Sequence, residues 1–387
     1  MGALNKSISP ICGRLQPISA PRCHHAWRQP DQFSFTLRYA KRRTVFTHGD
    51  QACLLVLVET SHASHPSCPR GDFRRVQRHR PSHCRSIRRT RRAPGAGRTR
   101  EDALDAVAER CRARGAEVLV VPTDVKHAEQ VEALATSAQS FLGRIDLWFG
   151  NVGVGAVGKF HEVPMEASAA VIHANLLGRM HDAHAVIPIF VDQGHGIFVN
   201  MISSGGFAST PFAAAYGASK FGQRGFSEAL RAELSDYPHI HVCDVYPYFV
   251  DTPGLRHGAN YVGRRISGPP LMLDTRTVAA AVVRLLDRPR NTVVLGTAVH
   301  AMRLGHALAP QALARAMYRF FERYFAQAPR VARSTGNVFA APSIAGGIDG
   351  GYRRRPRLRA RSTRDKVLIG AAAAAVTGLA VLALRRR

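Results

Sequence analysis

Cysteine is scarce where this chain could use it. Of the seven cysteines, five (Cys12, Cys23, Cys53, Cys68 and Cys84) fall in the first hundred residues, leaving Cys111 and Cys243 alone in the remainder. These two are far apart and lack CxxC spacing, so neither a disulfide framework nor a zinc site is indicated, and a reducing, cytoplasmic setting fits. The opening residues carry no signal-peptide pattern, because the one early apolar run, Cys53–Val58, is too short for a leader core. Acidic residues are also few, 27 against 54 Lys and Arg, a net charge of +27. A charge of that size points to nucleic acid, but its distribution removes the suggestion. Residues 1–100 hold 20 basic and 4 acidic residues and residues 352–387 hold 11 and 1, leaving a net of +1 for 101–351. The excess sits on the two ends of an ordinary near-neutral globular sequence.

The first hundred residues also lack any sustained period of 2 or 3.6, and are rich in Arg, His, Pro and Ser. The run 70–100 would repel itself in compact packing, and its most basic part has no aromatic residues for base stacking. A basic arm of low order is one reading. A shifted reading frame is the other, since GC-rich coding sequence read out of frame turns Ala and Gly codons into Arg- and Pro-rich text.

From Glu101 the pattern changes. EDALDAVAERCRARG places Leu104, Val107 and Cys111 at helical spacing and ends on Gly115. AEVLVVPTDV reads as a buried strand, HAEQVEALATSAQSFLG as a second amphipathic helix and IDLWFGNVG as a second strand. The alternation continues with helices over 165–191, 214–235 and 275–289 and strands over 196–203, 240–247 and 291–296, and a further amphipathic helix follows over 311–325. Strands alternating with helices of this length predict an α/β fold with a parallel sheet. The tail is separate. Val367–Leu384 is uncharged and flanked by Lys366 and Arg385, and as a helix it would be roughly 27 Å long, enough to cross a hydrocarbon core. More Lys and Arg precede this span than follow it, which would keep the large domain on the cytoplasmic face of a membrane.

The sharpest chemical signal is NMISSGGFASTPFAAAYGASK, Asn200–Lys220. A strand delivers Ser203 at its C-terminal end, where open α/β sheets bind ligands. Tyr216 follows 13 residues later, and Lys220 stands four beyond it, on the same helix face. The neighbouring cation favours phenolate, which would move the tyrosine toward the working range of a general acid/base. Ser203, preferred over Ser204 for its spacing, could then hydrogen-bond the substrate oxygen.

This segment resembles the active-site region of short-chain dehydrogenases/reductases (SDRs), in which a Ser precedes YxASK by about 13 residues, and the resemblance extends over roughly 101–300. It implies a Rossmann-like doubly wound parallel sheet and hydride transfer between NADP or NAD and a hydroxyl or carbonyl compound. Residue by residue, it implies catalytic roles for Tyr216, Lys220, Ser203 and Asn175, the last in ANLLG and anchoring a water that links Lys220 to solvent. It assigns the cofactor to Asp124 and Val125 (adenine end), Asn151 and Gly153 in GNVG where the family reads NNAG, Tyr216, Lys220, Pro247 and Thr252. Tyr248 stands where the family has a glycine. The family's opening strand and TGxxxGxG turn, which let a pyrophosphate approach backbone N–H groups, have no counterpart in 1–100, so the first strands and glycine-rich loop are missing or garbled. On this reading the chain as written binds NAD(P) poorly.

The expected organisation is a basic segment over 1–100, a Rossmann domain over 101–300, a helical extension over 301–351, a basic linker over 352–366 and a transmembrane helix over 367–384. The expected partners are a small-molecule alcohol or ketone, lipophilic if the tail is an anchor, and the membrane, with a second copy of the chain left open and nucleic acid excluded. A non-catalytic, membrane-tethered scaffold descended from such an enzyme is the competing reading. A basic nucleic-acid binder is disfavoured by the neutral middle.

Overall fold

The computed structural model describes residues 44–47, 54–59, 100–113, 115–269, 271–340 and 348–353. The main sheet has seven strands. Its first two are β1 (Thr44–Thr47) and β2 (Leu54–Glu59), both from the segment expected to be of low order. Helix α1 (Arg100–Arg112) leads to β3 (Ala116–Val121), and α2 (Ala128–Leu142) to β4 (Leu147–Gly150). A two-residue strand β5 (Ala156–Val157) follows. Next come α3 (Met165–Ile172), a π-helical turn (His173–Leu177) and α4 (Gly178–Gln193), which follow one another without a break in place of the single expected helix. Strand β6 (Gly196–Met201), helix α5 (Ala214–Glu233) and strand β7 (Ile240–Pro247) form the next βαβ unit. The chain continues through α6 (Gly254–His257), β8 (Ala259–Asn260), α7 (Thr275–Arg284), β9 (Thr292–Leu295), α8 (Thr297–Leu308) and α9 (Pro310–Gln327).

The strand order is β3-β2-β1-β4-β6-β7-β9, with β5 and β8 paired separately. Strand β1 is parallel to β4, and β4, β6, β7 and β9 are parallel in turn. The order reverses between β1 and β4, which is the switch point where ligands bind beyond the strand C-termini. One strand departs from the expected parallel sheet. β2 runs antiparallel to both β1 and β3, because only residues 48–53 join it to β1 and a parallel connection needs a dozen or more.

Strands buried on both faces are apolar throughout. All four residues of β4, LWFG, are buried. Trp148 packs with Leu134, Val186 and Phe198 beneath α2, α4 and α5, while Leu147 and Phe149 face Val282 and Leu285 on the opposite side, beneath α7. This two-faced core holds the C-terminal edge of the sheet rigid. The apolar tail 367–384 and the linker 354–366 lie outside the described residues, among which no helix is long and apolar enough to cross a membrane.

Candidate active site

The first turns of α5 carry Tyr216 and Lys220 over the end of β6, where the chain turns sharply at Ser203. Ser203 has φ 149° and ψ 165°, a conformation that belongs to glycine and costs of order 1–3 kcal/mol elsewhere. Ser203 Oγ accepts from the Gly205 N–H at 3.2 Å and lies near enough to the Tyr216 phenol to favour its ionised form. Ser204 is buried beside it without that partner role.

Lys220 is buried and donates to the Met201 carbonyl at 3.0 Å and to Gln223 Oε1 at 3.1 Å, with its Nζ 5.6 Å from the Tyr216 ring centre. Burial, and then the Arg179 charge, lower the Lys220 pKa to about 7. Burial raises the Tyr216 pKa, against the lowering effect of Ser203. The sequence pattern predicted the opposite shift for Tyr216. It fails here because the ammonium points to carbonyl oxygens rather than to the phenol, and burial drains its own charge.

Asn175 is fully buried in the π turn, a helix interruption frequent at functional sites. Its side chain accepts from Val154 N at 2.8 Å and donates to Val154 O and Ser219 Oγ, both at 3.0 Å. Ser219 in turn donates to the Tyr216 carbonyl at 2.7 Å. Asn175 therefore clamps the β4–β5 loop to the first turn of α5. Its backbone carbonyl accepts the Gln223 amide.

The loop after β4 makes the cleft floor. A Cβ on Gly153 would stand 3.7 Å from Asn175 Oδ1 and 3.9 Å from Lys220 Nζ, and one on Gly155 3.8 Å from the Tyr216 ring. Both positions thus bring the loop backbone close to the Asn175, Lys220 and Tyr216 side chains, within one methyl group's contact distance. Asn151 is half-buried in the same loop, Pro247 is the buried last residue of β7, and Thr252 is half-buried beyond it, its N–H given to Val250 O at 2.9 Å. The remaining two candidates are placed elsewhere. Asp124 is tied to its own turn, accepting from Lys126 N at 3.1 Å and pairing with Lys126 Nζ at 3.2 Å. Val125 is a core residue, packed so that a Cβ on Gly178 would lie 2.8 Å from it, and its side chain offers no ligand surface.

Three buried polar neighbours of the site escaped the sequence reading. Gln223 is one. The others are Arg179 and Asp182, a fully buried ion pair one helical turn apart on α4. Arg179 also donates to Val152 O at 3.1 Å, bracing the cleft floor. Gly150 admits it: a Cβ there would fall 1.5 Å from Arg179 Nη1. The glycine in GNVG, where the resemblance expects Asn, was the one available signal that something large fills that space.

A family profile described as short chain dehydrogenase matches residues 95–259. Through that segment the chain is similar to the short-chain dehydrogenases/reductases, as its curated oxidoreductase relatives also are. It is 25% identical over 293 residues to an uncharacterized oxidoreductase of Bacillus subtilis, covering 74% of this chain and 82% of the relative. It is 33% identical over 175 residues to a CLA biosynthesis dehydrogenase/reductase of Lactiplantibacillus plantarum, covering 44% of this chain and 59% of that one. A 3-dehydrosphinganine reductase of Danio rerio is 35% identical over 139 residues, 36% of this chain and 42% of the relative. The chain thus spans about half the length of these last two. Among solved structures, a short chain dehydrogenase/reductase of Burkholderia phymatum in complex with NAD is 28% identical, with a TM-score of 0.47, covering 54% of this chain and 82% of that chain.

Proposed function

We propose that the chain is an SDR oxidoreductase in which Tyr216 exchanges a proton with a hydroxyl or carbonyl oxygen. The observation that carries this reading is the convergence of Ser203, Tyr216, Lys220 and Asn175 over a glycine-floored cleft at the sheet's switch point. A nicotinamide cofactor, NADP or NAD, supplies the hydride when bound. Ser203 holds the reacting oxygen toward Tyr216, the phenol gives or takes the proton, and Lys220, beside the ring, steadies the charge that develops on it.

The two ends of the cofactor site fit differently. Near Tyr216 the family resemblance places the nicotinamide ring and ribose, where the Gly153 and Gly155 backbone comes close to Lys220 and the tyrosine ring. At the phosphate end, β1 passes in six residues to an antiparallel β2, so no crossover helix can present its N-terminus to a pyrophosphate there. The chain as written is therefore expected to hold NADPH weakly. If an upstream reading frame encodes a strand and TGxxxGxG-like turn, a chain rebuilt with it should bind NADPH at least about tenfold tighter, roughly 1.4 kcal/mol, in a fluorescence titration. Micromolar binding by the chain as written, with no such frame upstream, overturns this part of the reading.

The tail supports a lipophilic substrate and a membrane setting. The Asp251 carboxylate, just after β7, accepts the backbone N–H groups of Tyr352 and Arg353, each at 3.0 Å. Arg256 donates to Gly350 O at 2.8 Å, which ties the loop beyond the cleft to the segment leading toward the apolar span. The exposed side of α9 interleaves Arg315, Arg319 and Arg323 with Ala312, Ala316 and Phe320, a pattern suited to an anionic interface. Deleting 367–387 is expected to move the protein from the membrane pellet to the supernatant. A truncated protein that stays in the pellet after high-salt washing contradicts the anchor.

A further inference from the structure

The polar network behind Tyr216 contains one residue that neither the acid–base scheme nor the family motif uses. Gln223 lies on α5, three residues beyond Lys220, with no exposed surface. Its Oε1 accepts from Lys220 Nζ at 3.1 Å and its Nε2 donates to the Asn175 carbonyl. The amide has only one orientation that satisfies both contacts, because an ammonium cannot accept and a carbonyl cannot donate. A single rigid side chain therefore spans the gap between the π turn and the lysine.

We propose that Gln223 is the positioning residue of the acid–base centre: its amide bridges the Lys220 ammonium to the Asn175 carbonyl and fixes that ammonium against the cleft wall beside Tyr216. The proposal deepens the oxidoreductase reading and rests on it for its functional meaning, though the bridge itself is a property of the apoprotein.

Three consequences follow from the geometry. Lys220 has three N–H donors, and two are committed to Met201 O and Gln223 Oε1, leaving one for the cleft. The Asn175 carbonyl, whose side chain already clamps Val154, spends one of its two lone pairs on the amide, so the π turn, Gln223 and Lys220 form one continuous hydrogen-bonded chain. The third concerns charge. The ionisable groups facing Lys220 are Tyr216 on its own helix and Arg179 from α4, the latter paired with Asp182. Arg179 and burial both favour the neutral amine, so the neutral carbonyl dipoles of Met201 and Gln223 are what hold the proton on Lys220. Losing an acceptor to a charged donor in a buried site removes an interaction stronger than an ordinary hydrogen bond.

The test compares Gln223→Met, which keeps the volume and deletes both contacts, with Gln223→Glu, which keeps an acceptor facing Lys220. The full chain is prepared with carbon-labelled lysine, and the Lys220 Cε resonance, assigned by its loss in Lys220→Arg, is titrated with pH. The midpoint is expected to fall by about one pH unit in Gln223→Met, and to rise above the parent's in Gln223→Glu. An unchanged or raised midpoint in the Met variant overturns the proposal, as does a Glu variant that behaves like Met. Should the Met variant fail to fold, Gln223→Asn, which withdraws the amide by one methylene and adds no charge, decides in its place: the midpoint is expected to fall, and an unchanged one overturns the proposal. No turnover is needed for this readout. If the parent proves inactive with every carbonyl and either cofactor, the oxidoreductase reading fails while the titration still decides the role of Gln223. Where turnover is present, the kcat–pH limb belonging to Lys220 should move with the resonance.

Discussion

Tyr216→Phe is expected to abolish turnover while the protein keeps its fold and its affinity for cofactor. The phenyl ring still packs against Gly155 and the α5 turn, and only the hydroxyl that meets Ser203 is lost. Acid–base groups commonly supply 10²–10⁴-fold, so more than about 1% residual activity in steady-state assays contradicts the assignment. Lys220→Ala should weaken both chemistry and cofactor binding, because the ammonium lies beside the ring and under the Gly153 floor. The comparison of the two variants separates proton transfer from binding. A Phe variant that lost cofactor affinity as severely as the Ala variant would point to a packing role for Tyr216 instead.

The second large effect concerns stability. Asp182→Ala leaves the Arg179 guanidinium fully buried with no counter-charge. Breaking a buried pair on one side typically costs about 3–5 kcal/mol, and urea denaturation at neutral pH should show a loss of that order. The double variant Asp182→Ala/Arg179→Met removes both charges together and should recover most of it, since an apolar pair of similar volume is often neutral or better. The gain carries a local consequence. Arg179 braces Val152 O in the cleft floor, so the recovered double variant should still bind cofactor less well than the parent. A single variant within about 1 kcal/mol of the parent means the pair is not charged in the folded state.

Much of this was readable from the residues alone, and what was not has physical reasons. The strands and helices from Glu101 onward are long, periodic and punctuated by glycine, so their order was legible. Thr44–Thr47 is four residues in aperiodic text, and its place in the sheet is set by pairing with β4, a long-range contact that no local pattern encodes. The antiparallel course of β2 follows from a connection too short for a crossover, which the missing glycine motif hinted at but did not specify. The π turn at Asn175 is invisible in a helical period that stays apolar on both sides of it. In the site, Ser203, Tyr216 and Lys220 were legible because their spacing fixes them to one strand end and one helix face. For Asp124 and Val125 the motif gave the position but not the surroundings: one pairs with Lys126 and the side chain of the other enters the core. Buried polar residues such as Gln223 and Arg179 look like solvent-facing residues in a sequence. Only their neighbours reveal them.

The account stands most directly on whether this chain moves a hydride. Full-length protein at micromolar concentration, with millimolar NADPH or NADH and a panel of aldehydes and ketones that includes long-chain members, should consume reduced nicotinamide, as followed by its absorbance. The account predicts saturable consumption with at least one carbonyl, steeper for the chain rebuilt with a phosphate-binding turn and absent from Tyr216→Phe. Folded protein that consumes neither cofactor with any member of the panel, rebuilt or not, would contradict it and leave the membrane-tethered scaffold as the reading that survives.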